Sequence, residues 1–394
     1  MPSFSIEVES EIVRDAKVMQ VEGMFDVAPA KRSKLEWKVD LPIEERPWNI
    51  GLIIGPSGCG KTTVAKTAFD KELISGYDWD GKKAVVSQFG DMSIKDVCSA
   101  LSSVGFSSAP SWLRPFHALS NGEQFRVTLA RAISSGEMVC IDEFTSVVDR
   151  TVAKIGSCAV AKAVRKKNSQ LVAVSCHYDI VDWLQPDWTY EPIGNKFEWR
   201  SLRRRPDIEM EVRRCTVAAW ELFKAHHYLN STIHKAAACF IAEVDGRPAA
   251  FASVIHFPHP VSSSWRAHRV VCLPDFQGVG IGNALDEFVA SMFASTGKSY
   301  FLTTGNQSMI HSRARSKNWK MNRSKRVAKI GATGNKSLSS SLSYDRNTYS
   351  FKYVGPSNVE DALEFGIVPT GLSQGSAKPA ARPKGAKRKR RASN

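Results

Sequence analysis

Residues 55–62 read Gly-Pro-Ser-Gly-Cys-Gly-Lys-Thr. Glycines at this spacing let several backbone N–H groups turn toward one anion, and the lysine closes the cradle. An apolar run at 50–54 precedes the loop and a helical pattern follows, so the loop opens a helix whose N-terminus adds positive potential. The chemistry this suits is capture of a triphosphate. Gly55, Pro56, Ser57, Gly58, Cys59, Gly60 and Thr63 would line the phosphates, Lys61 would neutralise the β- and γ-phosphates, and Thr62 would offer its hydroxyl to Mg²⁺. A second apolar run, Met138–Ile141, ends on Asp142 and Glu143. Asp142 would hold Mg²⁺ through water, and Glu143 would polarise the attacking water. Taken alone, that pair reads equally as a strand followed by the acidic cap of a helix.

A second glycine loop, 277–282, reads Gln-Gly-Val-Gly-Ile-Gly, again after an apolar run and before a helical pattern. Its amides could grip a pyrophosphate by the same physics. Gly278, Gly280 and Gly282 miss the GxGxxG spacing of dinucleotide-binding dehydrogenases, which excludes that class. A plain turn is the bland alternative. His256 and His259 suggest a metal pair, but no third ligand accompanies them, so a metal site is rejected.

These residues need strands to present them. Runs at 35–41, 50–54, 85–87, 138–141 and 171–175 alternate with helical patterns across 17–199, which implies a layered α/β sheet. Arg203, Arg204 and Arg205 before Pro206 mark a linker. Beyond it the pattern predicts a strand at 208–216, a helix at 218–228, strands at 237–243 and 249–256 joined through Asp245-Gly246, a strand at 269–273 and a helix at 281–293. A serine-rich stretch near 337–343 reads as loop.

Between the first loop and the acids stands Leu119-Ser120-Asn121-Gly122-Glu123, just before a helical pattern. With it the chain resembles the ABC ATPase superfamily, whose signature reads LSGGQ or LSGGE. The resemblance implies that Gln88 is the Q-loop glutamine sensing Mg²⁺ and the γ-phosphate, Asp149 the D-loop acid and His177 the switch histidine. It makes Glu143, His177 and Gln88 catalytic, adds Ser120, Gly122 and Asp149 to the ATP site, and assigns Thr62, Gln88 and Asp142 to the metal. In this family the signature meets the nucleotide on the opposite subunit, so a chain with one such unit implies an ATP-driven homodimer. Asn121 departs from the usual glycine, which puts the rate of closure in doubt. The short interval between Gln88 and Ser120 argues for a role away from membranes. Phe25 is a candidate to stack on adenine, or a core phenylalanine.

The second loop fits Q/R-x-x-G-x-G/A, and here the chain resembles GNAT-fold acyltransferases. That implies an acyl-coenzyme A such as acetyl-CoA, held by Gln277, Gly278, Val279, Gly280, Ile281 and Gly282. The base and the donor to the leaving thiolate would come from His226, His227, Glu243, His256, His268 or Tyr228, although each histidine is more often a surface or core residue. An ABC ATPase followed by a GNAT-like domain resembles proteins of phages and mobile elements. The stretch 220–320 also resembles the Mom-type DNA-modification proteins. The fold expected is therefore α/β: a P-loop ABC domain over 1–199, a GNAT-like α+β domain over 200–355, and a linker with a disordered basic tail over 356–394.

Length and composition agree. A chain of 394 residues with 43% hydrophobic and 24% charged residues suits two folded domains. No run of about 18 apolar residues occurs, which excludes a membrane-spanning helix. Glu7, Glu9 and Glu11 stand where a signal peptide would be basic and apolar, so a cytoplasmic location is expected, in a host cell if the protein is phage-borne. The eight cysteines show no CxxC pair and are expected to be reduced. The net charge is +15, and eight Lys or Arg at 378–391 account for more than half of it, leaving +7 (15 minus 8). That tail, with Arg313, Arg315, Lys317 and Lys320 and with Trp319 as a base-stacking candidate, suits nucleic acid. Three readings follow: an ATPase coupled to an acyltransferase acting on nucleic acid, an ATPase with a non-catalytic GNAT-like binding module, and a transporter ATPase subunit.

Overall fold

The computed structural model of the chain describes residues 3–11, 13–27, 32–74, 76–136, 138–202, 207–227, 231–258, 262–326, 347–371 and 387–392. Among them, the helices of nine residues or more are α1 (Ala16–Phe25), α2 (Lys61–Phe69), α3 (Ile94–Ser103), α4 (Asn121–Ser135), α5 (Arg150–Lys167), α6 (Ile281–Ala294) and α7 (Gln307–Arg315). The chain forms two compact units. The first comprises Met1–Tyr77, Ala132–Val147 and Ala161–Arg204, and the second Asp78–Arg131, Val148–Val160 and Arg205–Asn394. The segments 78–131 and 148–160, which sequence patterning assigns to the domain over 1–199, thus group with the C-terminal region.

In the first unit β1 (Ser3–Glu11) pairs antiparallel with β2 (Arg32–Asp40). A six-stranded sheet contains β3 (Ile50–Ile54), β4 (Leu73–Ile74), β5 (Met138–Ile141), β6 (Gln170–Ser175), β7 (Trp188–Glu191) and β8 (Lys196–Trp199), in the order β4-β5-β6-β3-β7-β8. All neighbours are parallel except β7 and β8. Every residue of β3 is buried, as a central parallel strand covered on both faces requires. Gly51 is obligatory there, because a Cβ would enter the Trp188 indole. Val64, Ala65 and Phe69 of α2 pack on Ile53, Val172 and Val174 to close the core.

The second unit holds an eight-stranded sheet of β9 (Ile208–Cys215), β10 (Ala238–Val244), β11 (Arg247–Phe257), β12 (Ser264–Cys272), β13 (Tyr300–Thr304), β14 (Trp319–Arg326), β15 (Asn347–Tyr353) and β16 (Lys387–Ala392). The order is β14-β15-β13-β12-β11-β10-β9-β16, antiparallel except for β12 and β13. Asp245 and Gly246 turn the β10–β11 hairpin with φ of 49° and 74°, the paired positive values of a type I′ turn. Of the basic tail, Lys387–Ala392 forms the edge strand beside β9, and residues 372–386 lie outside the described residues, as do the linker 203–206 and the serine-rich 337–343. One face of the sheet carries α6. The other carries two short 3₁₀ turns, Val217–Leu222 and Lys224–His226, whose Trp220 and Phe223 pack on Cys239, Ile241, Phe251 and Val271.

Two expectations are corrected. The helix predicted at 218–228 is that pair of 3₁₀ turns. Residues three apart eclipse in a 3₁₀ turn, and this sends Trp220 and Phe223 together into the sheet. The strand predicted at 85–87 is also a 3₁₀ turn, Val85–Ser87. Two valines and a serine carry no period; Ser87 N–H bonds to Ala84 O (3.0 Å) within the turn, and an isolated bridge between Ala84 and Pro115 stands where a ladder would run.

Candidate functional site

In the first unit the neighbouring parallel strands β5, β6 and β3 deliver three motifs to one end of the sheet. Ile141 sits opposite Ala173, and Ile54 opposite Ser175, so the strands finish within two residues of each other. From those ends issue the loop 55–60, the acids Asp142 and Glu143, and His177. Gly58 and Gly60 take φ of 79° and 87°, conformations that side chains resist. Gly60 caps α2 without a side-chain acceptor, which leaves the first-turn N–H groups for a ligand. Lys61 Nζ donates to Pro56 O at 2.7 Å and lies 3.9 Å from Cys59 Sγ, folded back over the loop. Asp142 Oδ1 accepts the Glu143 N–H at 2.8 Å. Glu143 is exposed with φ of 50°, a strained setting for a glutamate. Two bonds hold this turn on β6: Phe144 N–H to Val174 O (2.8 Å) and Ser175 Oγ to Phe144 O (3.1 Å). Ser175 Oγ also accepts the His177 N–H at 3.2 Å, so one buried hydroxyl ties the acid turn to the histidine. Sequence reasoning missed Ser175, whose signal was a hydroxyl ending an otherwise apolar strand. The donor set fits a magnesium nucleotide: a cation, open helix N–H groups, the Thr62 hydroxyl and the Asp142 carboxylate. Phe25 is exposed at the end of α1, a helix with no buried residue.

Gln88, Ser120, Gly122 and Asp149 belong to the second unit. Gln88 is buried, and its amide is occupied: Oε1 accepts the Asp80 N–H (2.8 Å), and Nε2 donates to the carbonyls of Lys83 (2.9 Å) and Asp80 (3.2 Å). Both Nε2 hydrogens are thus used, while Oε1 keeps one lone pair. Ser120 and Glu123 form a capping box on α4: Glu123 Oε2 accepts the Ser120 N–H (3.0 Å) and Ser120 Oγ accepts the Glu123 N–H (3.3 Å). Asp149 caps α5 through the N–H groups of Thr151 and Val152, and also accepts from Arg247 Nη1 at 3.0 Å. Burial works against the charged carboxylate, but these bonds hold Asp149 below the usual carboxylate range.

The loop 277–282 follows β12 and opens α6 as expected, with Gly278 and Gly280 at φ of 92° and 87°. Beyond Trp265–Tyr300 and Arg266–Phe301, β12 and β13 no longer pair, so the sheet opens toward this loop. As in α2, a glycine caps α6 with no side-chain acceptor, which fits a pyrophosphate. Gln277, however, is engaged: Oε1 accepts the Ser107 N–H (2.6 Å) and Nε2 donates to Cys272 O (2.7 Å). Arg126, on the signature helix α4 and fully buried, donates to the carbonyls of Val104 (3.0 Å), Gly105 (3.2 Å), Asp275 (2.9 Å) and Gln277 (3.3 Å). Burial pulls its pKa down to about 10. A Cβ on Gly122 would meet Asp275 Oδ1 at 2.5 Å, and one on Gly278 would meet Gly105 Cα at 2.6 Å. Gly122 is thus packed against the Asp275 side chain, while Gly105 and Gly278 meet backbone to backbone. Arg126, Gly105 and Asp275 were not found by motif reading, since no local pattern distinguishes them.

Among the proposed acid–base residues, Tyr228 lies outside the described residues, as does His259. Glu243 is paired with Arg213 at 2.7 Å. His227 is buried with its ring against Trp220, and burial lowers the half-buried His226. His256 is exposed beside Trp265. His268 Nε2 accepts the His234 N–H at 3.1 Å. Burial, then the neighbouring Arg269 and His234, lower His268 to about 4. It is therefore a neutral acceptor near neutral pH rather than a strong base. The basic cluster is split. Arg315, Lys317 and Lys320 are exposed, but Arg313 is buried, 2.6 Å from the buried Asp286, and its guanidinium lies over Trp319. Arg313 and Trp319 are thus removed from a phosphate- or base-binding surface, because Asp286 on α6 draws the cation inward.

Residues 179–312 match the acetyltransferase (GNAT) family. No curated protein matches the chain. Similar solved structures include the ATP-binding cassette MJ0796, a bacterial ABC transporter cassette seen as a dimer in a post-hydrolysis state bound to ADP and Pi. It is 15% identical with a TM-score of 0.36, over 43% of this chain and 94% of that one. cbiO1 from Clostridium perfringens, part of the ABC transporter complex cbiONQ, is 16% identical with a TM-score of 0.31, over 40% of this chain and 76% of that one. Among the described residues, no helix is long and apolar enough to cross a membrane.

Proposed function

We propose that this protein is an ABC-type ATP hydrolase coupled to a GNAT-type acyltransferase whose acceptor is a nucleic acid, a reading in which it serves phage-type DNA modification. The observation that carries the first half is the delivery of Lys61 and Thr62, Asp142 and Glu143, and His177 to one end of the parallel sheet by adjacent strands. Lys61 and the α2 amides would grip the phosphates. Thr62 and Asp142 would hold Mg²⁺, which when bound offsets phosphate charge. Glu143 would take the proton of the attacking water, with His177 held beside it through Ser175. Two copies would close on ATP, each bringing its Ser120 segment to the other's nucleotide. Loss of Mg-ATP turnover in Glu143→Gln, with dimers persisting in ATP by light scattering, tests this half.

The second half rests on the 179–312 match and the glycine-capped α6. The amides of Gly278, Gly280 and Gly282 would hold the coenzyme pyrophosphate, while Arg126 would pass movement of the signature helix to the loop, so that hydrolysis governs access of the acceptor. Calorimetry with acetyl-CoA and mass spectrometry of host nucleic acid, with and without the chain, test it. A second reading, a GNAT-like module that binds without catalysis, is favoured by one feature: Gln277 is already bonded to Ser107 and Cys272. Absence of heat with acetyl-CoA would select it.

A further inference from the structure

Half of the eight-stranded sheet has one face that no helix covers among the described residues. The helices α6 and α7 lie on the other face, where Tyr300 bonds to Asp286, Trp319 to Glu287, and Trp265 packs on Phe293. Side chains alternate along a strand, so the neighbours of these residues emerge on the opposite side. The two 3₁₀ turns cover that side only over Cys239, Ile241, Phe251 and Val271. Beyond them the register lays out one row: Arg266 opposite Phe301, Phe301 opposite Lys352, and Lys352 opposite Lys320. At about 4.8 Å per strand the row spans about 14 Å. Arg323 follows two pairs further along β14, past a bulge and on the same face, and the Arg266 guanidinium lies 5.6 Å over the ring of Phe257, which is 44% exposed. On this face stand four cations, Arg266, Lys352, Lys320 and Arg323, and two rings, Phe257 and Phe301, and the sequences of β11 to β15 contain no Asp or Glu. A face of cations alternating with aromatic rings, without a carboxylate on its strands, is complementary to a polyanion that carries flat bases.

We propose that this face binds single-stranded nucleic acid, with Arg266, Lys352, Lys320 and Arg323 on phosphates and Phe257 and Phe301 stacking on bases. The proposal rests on the nucleic-acid reading above and gives it a platform and a strand state. A duplex keeps its bases stacked on one another and would leave both rings without partners. Where Arg315, Lys317 and the tail supply only charge, this surface supplies charge and stacking together.

Fluorescence anisotropy of the full-length protein with a labelled mixed-sequence 20-nucleotide DNA strand, its RNA counterpart and the duplex tests this, with ATP turnover measured on the same samples. The single strands are expected to bind more tightly than the duplex. The triple variant Arg266→Ala, Lys320→Ala, Lys352→Ala should weaken binding about tenfold or more, and lower the salt slope by about 2. Phe257→Leu with Phe301→Leu, which keeps the surface apolar, should weaken single-strand binding about tenfold with the salt slope unchanged. Circular dichroism checks folding, and photo-crosslinking of a bromouridine strand should label peptides holding Phe257 or Phe301. Folded variants that bind like the wild type, or a preference for duplex, overturn the proposal while the acceptor reading stands. A wild-type protein that turns over ATP but binds no nucleic acid overturns the acceptor reading itself.

Discussion

The two glycine loops use one physical device in different circumstances. At 55–60 the helix N-terminus is open, Glu143 and Thr62 are exposed, and the bonds that shape the site are local to the ends of β3, β5 and β6. At 277–282 the helix N-terminus is equally open, but the loop is fixed from outside by residues more than 100 positions earlier, Gly105, Ser107 and Arg126. The first loop keeps its shape through bonds of its own strands, whereas the second keeps its shape through groups on a distant stretch of chain that includes α4. The contrast teaches that a shared motif defines what can be bound, while the groups behind it decide what the binding controls.

Several variants would break or sharpen that contrast. The largest effect on stability is expected from Arg126→Ala, which strands four carbonyls and should cost about 3–5 kcal/mol, read as a lowered denaturant midpoint. An unchanged midpoint would show that the clamp on the second loop is dispensable. Next comes Gly278→Ala, where positive φ and the close approach of Gly105 should cost about 1–3 kcal/mol and loosen acetyl-CoA binding by calorimetry, with ATP affinity intact. His268 gives a pH signature. Its folded pKa of about 4 lies below the unfolded value of about 6.5, so the unfolded chain binds the extra proton between them. Stability from this group is full above the unfolded value and is lost as pH falls toward 4, and thermal melts of His268→Gln should flatten in that window. The smallest effect belongs to Arg247→Ala. Its partners are half exposed, so stability should fall by less than about 1 kcal/mol, screened by salt.

Legibility in the sequence followed how local each determinant is. The phosphate loop, the tips of β5 and β6, the Asp245-Gly246 turn and α6 were readable because consecutive residues specify them. Arg313 read as a surface cation, because nothing near it in sequence announces Asp286. The grouping of 78–131 and 148–160 with the C-terminal region was invisible for the same reason: it is written in pairs such as Arg126 with Asp275 and Asp149 with Arg247, far apart along the chain. The bonds of Gln88 to Asp80 and Lys83 depend on a turn that Val85 and Val86 disguised as a strand.

The central claim is that the ends of β3, β5 and β6 form one catalytic centre for Mg-ATP. Phosphate release by purified protein is the direct measurement, comparing wild type with Lys61→Ala and Glu143→Gln under saturating magnesium nucleotide. The account predicts that Lys61→Ala loses nucleotide affinity, while Glu143→Gln keeps affinity but turns over about 100-fold or more slowly. Wild-type turnover in both variants, or no affinity of the intact protein for Mg-ATP, would contradict it.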